Sequence, residues 1–186
     1  MTAPARATYE DVINASPLMI AEILDGTLYT RPIEGLLRYS ALHLSSLLVR
    51  PFQRSENGPG EWLFLLKPEL HLGSEPDVLV PDLAGWHRKR LADVPYQSPW
   101  ITVAPDYVCE LLLPSSAAID RGPKMDIYLR EQVRHVWLID PINLILEIYR
   151  HGGTLWHRVA GHTGNVTSRA EPFEAIELPL RWLWEP

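Results

Sequence analysis

Three charged residues interrupt strongly apolar sequence: Asp82 in LVPDLAGW, Glu110 in YVCELLL, and Lys124 in DRGPKMDIYL. A lone ionised group in low-dielectric surroundings must find a partner or give up its charge. Two carboxylates so placed suggest a shared partner, and for oxygen ligands a hard divalent cation is the natural one. A lysine arriving on the next element would add positive charge for a phosphoryl group. Each residue has a plainer reading as well. Asp82 could end a strand, Glu110 could pair with a surface arginine, and Lys124 could be an ordinary first-turn helix residue. Their combination is what points to chemistry.

The elements that must position these residues are legible from pattern. Thr8-Tyr9-Glu10-Asp11 predicts a capped short helix that stops before Pro17. MIAEIL and TLYTRP flank Asp25-Gly26, so residues 19–31 read as a β-hairpin. From Glu34 to about Arg50 the residues Leu37, Ala41, Leu44 and Leu48 recur at helical spacing, and Pro51 is expected to end that helix. WLFLL, LHL, DVLVPDLAGW and DYVCELLL read as strands. Asp120 is expected to cap a helix holding Pro123 in its first turn and running to about Glu131. HVWLID then reads as a buried central strand, making its pairing with DYVCELLL a parallel crossover. LILEIYR and TLWHRVA form a further hairpin around Gly152-Gly153, and Trp182 and Trp184 are expected to cover the core. Hairpins combined with one crossover imply a mixed sheet flanked by helices, an α/β (α+β) fold in a single domain spanning 1–186.

Composition bounds the function. The chain has 186 residues, 46% hydrophobic and 22% charged, with a formal net charge of −6. An acidic balance argues against coating nucleic acid by excess lysine and arginine, so binding there would need a local patch and a bridging metal. The one dense basic run, His87-Arg88-Lys89-Arg90, reads more simply as a solvated loop. A single cysteine, Cys109, excludes an internal disulfide and a cysteine-rich zinc site. With no apolar run of membrane-spanning length and no signal-like start, the expectation is a cytoplasmic protein without a membrane partner.

The order of elements, with Asp82 and Glu110 on successive strand segments, resembles the PD-(D/E)XK nuclease core. More closely, the chain resembles the bacterial Uma-type restriction endonuclease family. The segments that carry this are AEILDGTLYTRP, NGPGEW, PELHLG with DVLVPDLAGW, APDYVCELLLPSS, Asp120-x-x-x-Lys124, HVWLIDP and EPFEAIEL. The resemblance implies a restriction-endonuclease-like fold, with Asp82 and Glu110 as motif carboxylates. The usual motif lysine two residues after the glutamate is absent, since Leu112 stands there, and Lys124 is expected to replace it from the following helix. Glu22 aligns with a family glutamate and is either a third carboxylate or an outward-facing hairpin residue. Asp120 could join the site as well. Departures from the family are Leu113 in place of a serine, Tyr39 near an expected histidine, and Glu61 at a position where glycine is common.

The expectation is a metal-dependent DNA endonuclease. Asp82 and Glu110 are expected to bind Mg²⁺ or Mn²⁺, and Asp82, Glu110 and Lys124 to form the catalytic set. DNA is the expected substrate, with a homodimer an open possibility. Alternatives of a different class are a non-catalytic interaction protein retaining the fold, and a hydrolase of another phosphodiester.

Overall fold

The computed structural model describes residues 6–33, 35–95 and 97–185, with only the backbone for residues 36–38. Glu34 and the side chain of Leu37, both in the expected first long helix, lie outside the described residues.

Helix α1 (Tyr9–Ile13) opens on Thr8. The Thr8 N–H and hydroxyl donate to the Asp11 carboxylate at 2.7 and 3.0 Å, satisfying the capping signature. Strands β1 (Met19–Leu24) and β2 (Thr27–Pro32) pair antiparallel through Asp25-Gly26. Both turn residues have positive φ, 49° and 79°, the geometry that matches strand twist in a two-residue hairpin. Helix α2 (Gly35–Leu48) buries Ala41, Leu44 and Leu48. Pro51 does not stop it. The chain continues into a wide turn, Val49–Gln53, whose longer hydrogen-bond spacing accommodates the proline ring and its missing N–H.

Strands β3 (Trp62–Leu66) and β4 (Leu70–Leu72) fall where expected. DVLVPDLAGW, however, is two strands in two sheets, β5 (Asp77–Leu79) and β6 (Leu83–His87). Pro81 cannot donate to a ladder, and the crossing between sheets occurs at Val80–Asp82. After β7 (Tyr107–Leu111), helical structure begins earlier than expected, with α3 (Ala117–Ile119) starting directly after Ser116. A wide turn, Asp120–Lys124, carries Pro123 into α4 (Met125–Arg130). Asp120 is therefore inside the helical segment and not its cap. Strands β8 (His135–Asp140), β9 (Ile145–His151) and β10 (Trp156–Thr163) follow, then a short pair, β11 (Thr167–Ser168) and β12 (Leu178–Pro179).

One six-stranded sheet has the order β10-β9-β8-β7-β6-β3, and a four-stranded sheet has the order β2-β1-β5-β4. Within the larger sheet β7 and β8 are parallel and their other neighbours antiparallel. Alternation along the strands gives the larger sheet two apolar faces. Tyr107, Cys109, Leu111, Trp137 and Ile139 pack with α2 and the C-terminal segment. Val108, Leu112, Val136 and Leu138 face the smaller sheet and α4. Trp184 is buried, 7% exposed, but Trp182 is 43% exposed. In the 3₁₀ turn Leu180–Leu183 the residues three apart eclipse, so Leu180 and Leu183 take the core and Trp182 points away from it. Among the described residues, no helix is long and apolar enough to cross a membrane.

Candidate active site

Glu110 shares a strand face with Val108 and Leu112, so its carboxyl enters the layer between the larger sheet, the smaller sheet and α4. Asp82 precedes β6, where Leu83 pairs with Cys109 and Ala84 with Val108. Extending that antiparallel register by one residue sets Asp82 opposite Glu110, and directly opposed residues project to the same face. The ladder has ended there, and the Asp82 side chain takes over. Its Oδ2 accepts the Leu111 N–H at 2.9 Å. Both carboxylates are almost fully buried.

The β1–β2 hairpin supplies Glu22 and Arg31, which project from one face because their registers differ by two. Glu22 Oε1 accepts the Val80 N–H at 2.7 Å, tying the hairpin to the segment that crosses between sheets. Glu22 is buried, so its reading as an outward-facing hairpin residue fails. The segment 117–130 supplies Asp120, Lys124 and Tyr128, spaced four apart along one helical face. Lys124 has no exposed surface. Its Nζ lies 2.8 Å from Glu110 Oε1, 3.0 Å from Glu22 Oε1 and 3.4 Å from Asp120 Oδ1. These are ion pairs at contact distance in which the ammonium makes no well-aligned hydrogen bond. The Tyr128 hydroxyl donates to Glu110 Oε1 at 2.5 Å. From the end of β3, Lys67 Nζ reaches Asp82 Oδ1 at 3.0 Å.

Four carboxylates thus face three cations, Arg31, Lys67 and Lys124. Burial pushes the Glu110 carboxyl up to about 8, against the pull of Lys124 and with the push of Asp120, Asp82 and Glu22. Burial also raises Asp120, again opposed by Lys124. For Lys124 burial works against the charge, but Glu110, Glu22 and Asp120 outweigh it and hold the ammonium protonated.

These groups suit a hard cation. Glu110 Oε2 is buried with no hydrogen-bond partner among the described residues, so one carboxylate oxygen is available. Asp82 stands opposite it. Among the described residues no three or more acidic, histidine or cysteine side chains form a ready metal cage. Mg²⁺ does not need one, since it is commonly held by one or two carboxylates and keeps several waters.

The sequence-derived trio Asp82, Glu110 and Lys124 therefore occupies one buried cluster. Glu22 and Asp120 belong to it as well. Sequence reasoning missed Arg31, Lys67 and Tyr128. Tyr128 was findable, because it continues the four-residue spacing of Asp120 and Lys124. Arg31 and Lys67 gave no signal, as a single strand-end cation reads as solvated. The family departures lie elsewhere. Leu113 packs into the opposite core face. The Tyr39 hydroxyl donates to the Glu185 carbonyl. Glu61 has φ 71°, which explains why glycine suits that position.

No curated protein matches this sequence. The fold is similar to the crystal structure of "a putative nuclease belonging to DUF820" from Anabaena variabilis ATCC 29413, with a TM-score of 0.70 and 16% identity. That likeness covers 89% of each chain. Residues 7–181 match the Uma2 family, described as "Putative restriction endonuclease". A match over nearly the whole sequence places this chain in the Uma2 family.

Proposed function

We propose that the chain is a divalent-metal-dependent endonuclease that hydrolyses phosphodiester bonds in DNA. The observation that carries this reading is the buried pairing of Glu110, one oxygen free, with Asp82 on the opposed position and Lys124 Nζ 2.8 Å away. Asp82 and Glu110 would hold Mg²⁺ or Mn²⁺, which supplies Lewis-acid polarisation of a phosphate oxygen and a more acidic water. The protein's own groups then have separable tasks. The Leu111 N–H fixes Asp82, and the Tyr128 hydroxyl fixes Glu110. Lys124 stabilises negative charge that grows on the phosphoryl oxygens. The surrounding apolar side chains keep the local dielectric low, so that charge is worth more than in water.

Enclosure of the cluster favours a second reading, a non-catalytic interaction protein that keeps the fold. Plasmid DNA incubated with Mg²⁺ or Mn²⁺ separates the two. Nicking or linearisation that disappears with EDTA, and in Asp82→Asn and Glu110→Gln, is the expected result. Intact DNA in both metals, together with equal metal binding by wild type and Asp82→Asn, would reject the nuclease reading.

A further inference from the structure

Arg31 contributes charge to the cluster but makes no close contact with any of its carboxylates. Lys124 already meets Glu22, Glu110 and Asp120, and Lys67 meets Asp82. The Arg31 guanidinium approaches Asp82 at 3.7 Å and Glu22 at 3.9 Å, outside hydrogen-bond range. A guanidinium built as a structural counter-ion grips a carboxylate at about 2.7–2.9 Å, often with two parallel bonds. Its side chain is nine-tenths buried, yet Nε and Nη2 have no hydrogen-bond partner among the described residues. Two donors of a charged group without acceptors in the interior are costly, so an acceptor entering beside them would be held.

The space beside those donors is defined. A cavity of about 20 Å³ has Glu22, Tyr29, Thr30, Arg31, Ser116 and Asp120 among its lining residues. The buried Ser116 hydroxyl leans toward Asp120 without a well-aligned hydrogen bond, so a further donor opens there. The cavity admits about one water. Strand β2 on one side of it is an edge strand, paired among the described residues with β1 alone. On the other side lies the turn before α3. Entry of a larger group requires these two walls to part.

We infer that Arg31 is a substrate-binding residue whose guanidinium fork takes two oxygens of a nucleic-acid phosphate, with Ser116 beside it. This rests on the nuclease reading and names how that site recognises its substrate. A planar fork with paired donors fits tetrahedral phosphate oxygens, whereas the compact ammonium of Lys124 serves as a point charge deeper in. Glu22 and Asp82 hold Arg31 loosely until the phosphate arrives.

The test measures binding, so it does not depend on turnover. A mixed-sequence DNA duplex is titrated into wild type, Arg31→Gln, Arg31→Lys and Ser116→Ala in Ca²⁺, with Mn²⁺ binding and thermal unfolding followed in parallel. Arg31→Gln is expected to weaken DNA binding at least tenfold while Mn²⁺ binding holds or tightens, because a competing cation is gone. Arg31→Lys keeps the charge and the fold, and should still lose most of that affinity. DNA binding by folded Arg31→Lys equal to wild type would overturn the inference, as would parallel loss of Mn²⁺ and DNA binding in the two Arg31 variants. A protein that binds DNA through Arg31 yet never cleaves it would sink the catalytic reading and leave the phosphate contact standing.

Discussion

Glu110 makes the metal-free protein sensitive to pH in a specific direction. An ordinary glutamate titrates at 4.5, and burial in this cluster moves Glu110 up to about 8. A carboxyl whose folded pKa is raised binds its proton more tightly in the native state. The resulting stabilisation is fully present below the unfolded pKa and is lost as pH rises through the folded one. A shift from 4.5 to about 8 sets a ceiling of roughly 5 kcal/mol, at about 1.4 kcal/mol per pKa unit. Water penetration and side-chain relaxation around the newly charged group lower the penalty, so about 2–3 kcal/mol is the expected size. Glu110→Gln isolates it. The amide is neutral at every pH and still accepts from the Tyr128 hydroxyl. Urea unfolding in EDTA at about pH 5.5 and about pH 8.5 should cost the wild type about 2–3 kcal/mol more than Glu110→Gln. Contributions from Asp120 and other groups are common to both proteins and cancel to first order. Saturating Mg²⁺ should abolish the difference, because the cation replaces the proton, and metal uptake at neutral pH should release nearly one proton. Parallel pH dependence in the two proteins would refute the reasoning.

Asp82→Asn should blunt the rise in melting temperature that Mg²⁺ or Mn²⁺ gives wild type, since binding to the native state stabilises by mass action. An equal shift in both would put the ion elsewhere. Lys124→Ala should abolish cleavage and also destabilise by about 3–5 kcal/mol, because it strands three buried carboxylates around an empty position. Unaltered urea unfolding would contradict that, and Lys124→Arg should recover little cleavage, as a planar fork does not fit the space of an ammonium. Gly58→Ala should cost about 1–3 kcal/mol without changing metal affinity, because a Cβ there would lie 2.4 Å from Pro51 Cβ and 2.7 Å from the Pro51 carbonyl oxygen. Thermal unfolding checks it, and an unchanged midpoint would mean the loop simply shifts.

What could be read from sequence was what repeats locally. Alternation and turn chemistry were enough for the hairpins, and the apolar run HVWLID was enough for the central parallel pairing with β7. Pro51, expected to end a helix, and Pro123, expected in the first turn of one, both sit within wide turns of longer helical segments. Proline forbids ordinary helical hydrogen bonding, but it does not forbid a helix that locally changes its spacing, and single-residue rules cannot see that choice. Reading DVLVPDLAGW as one strand failed for a related reason. Pro81 ends one ladder and the chain starts another in a different sheet, so Asp82 gains its position from the crossing and not from a strand interior.

The placement of Lys124 follows from the kind of group an ammonium is. On the strand, position 112 shares the face of Glu110, yet Leu112 fills it and packs with Val108, Leu138 and Met125. A point charge has no required approach direction, so any element that delivers Nζ to the carboxylate serves equally. The segment 117–130 does so because Asp120, Lys124 and Tyr128 line one of its faces, and each meets the cluster through a different atom type. A carboxylate metal ligand lacks this freedom, since its oxygens must point at the ion. On the proposed metal-binding reading, that asymmetry accounts for Asp82 and Glu110 standing directly opposed while the lysine is delivered from a helix.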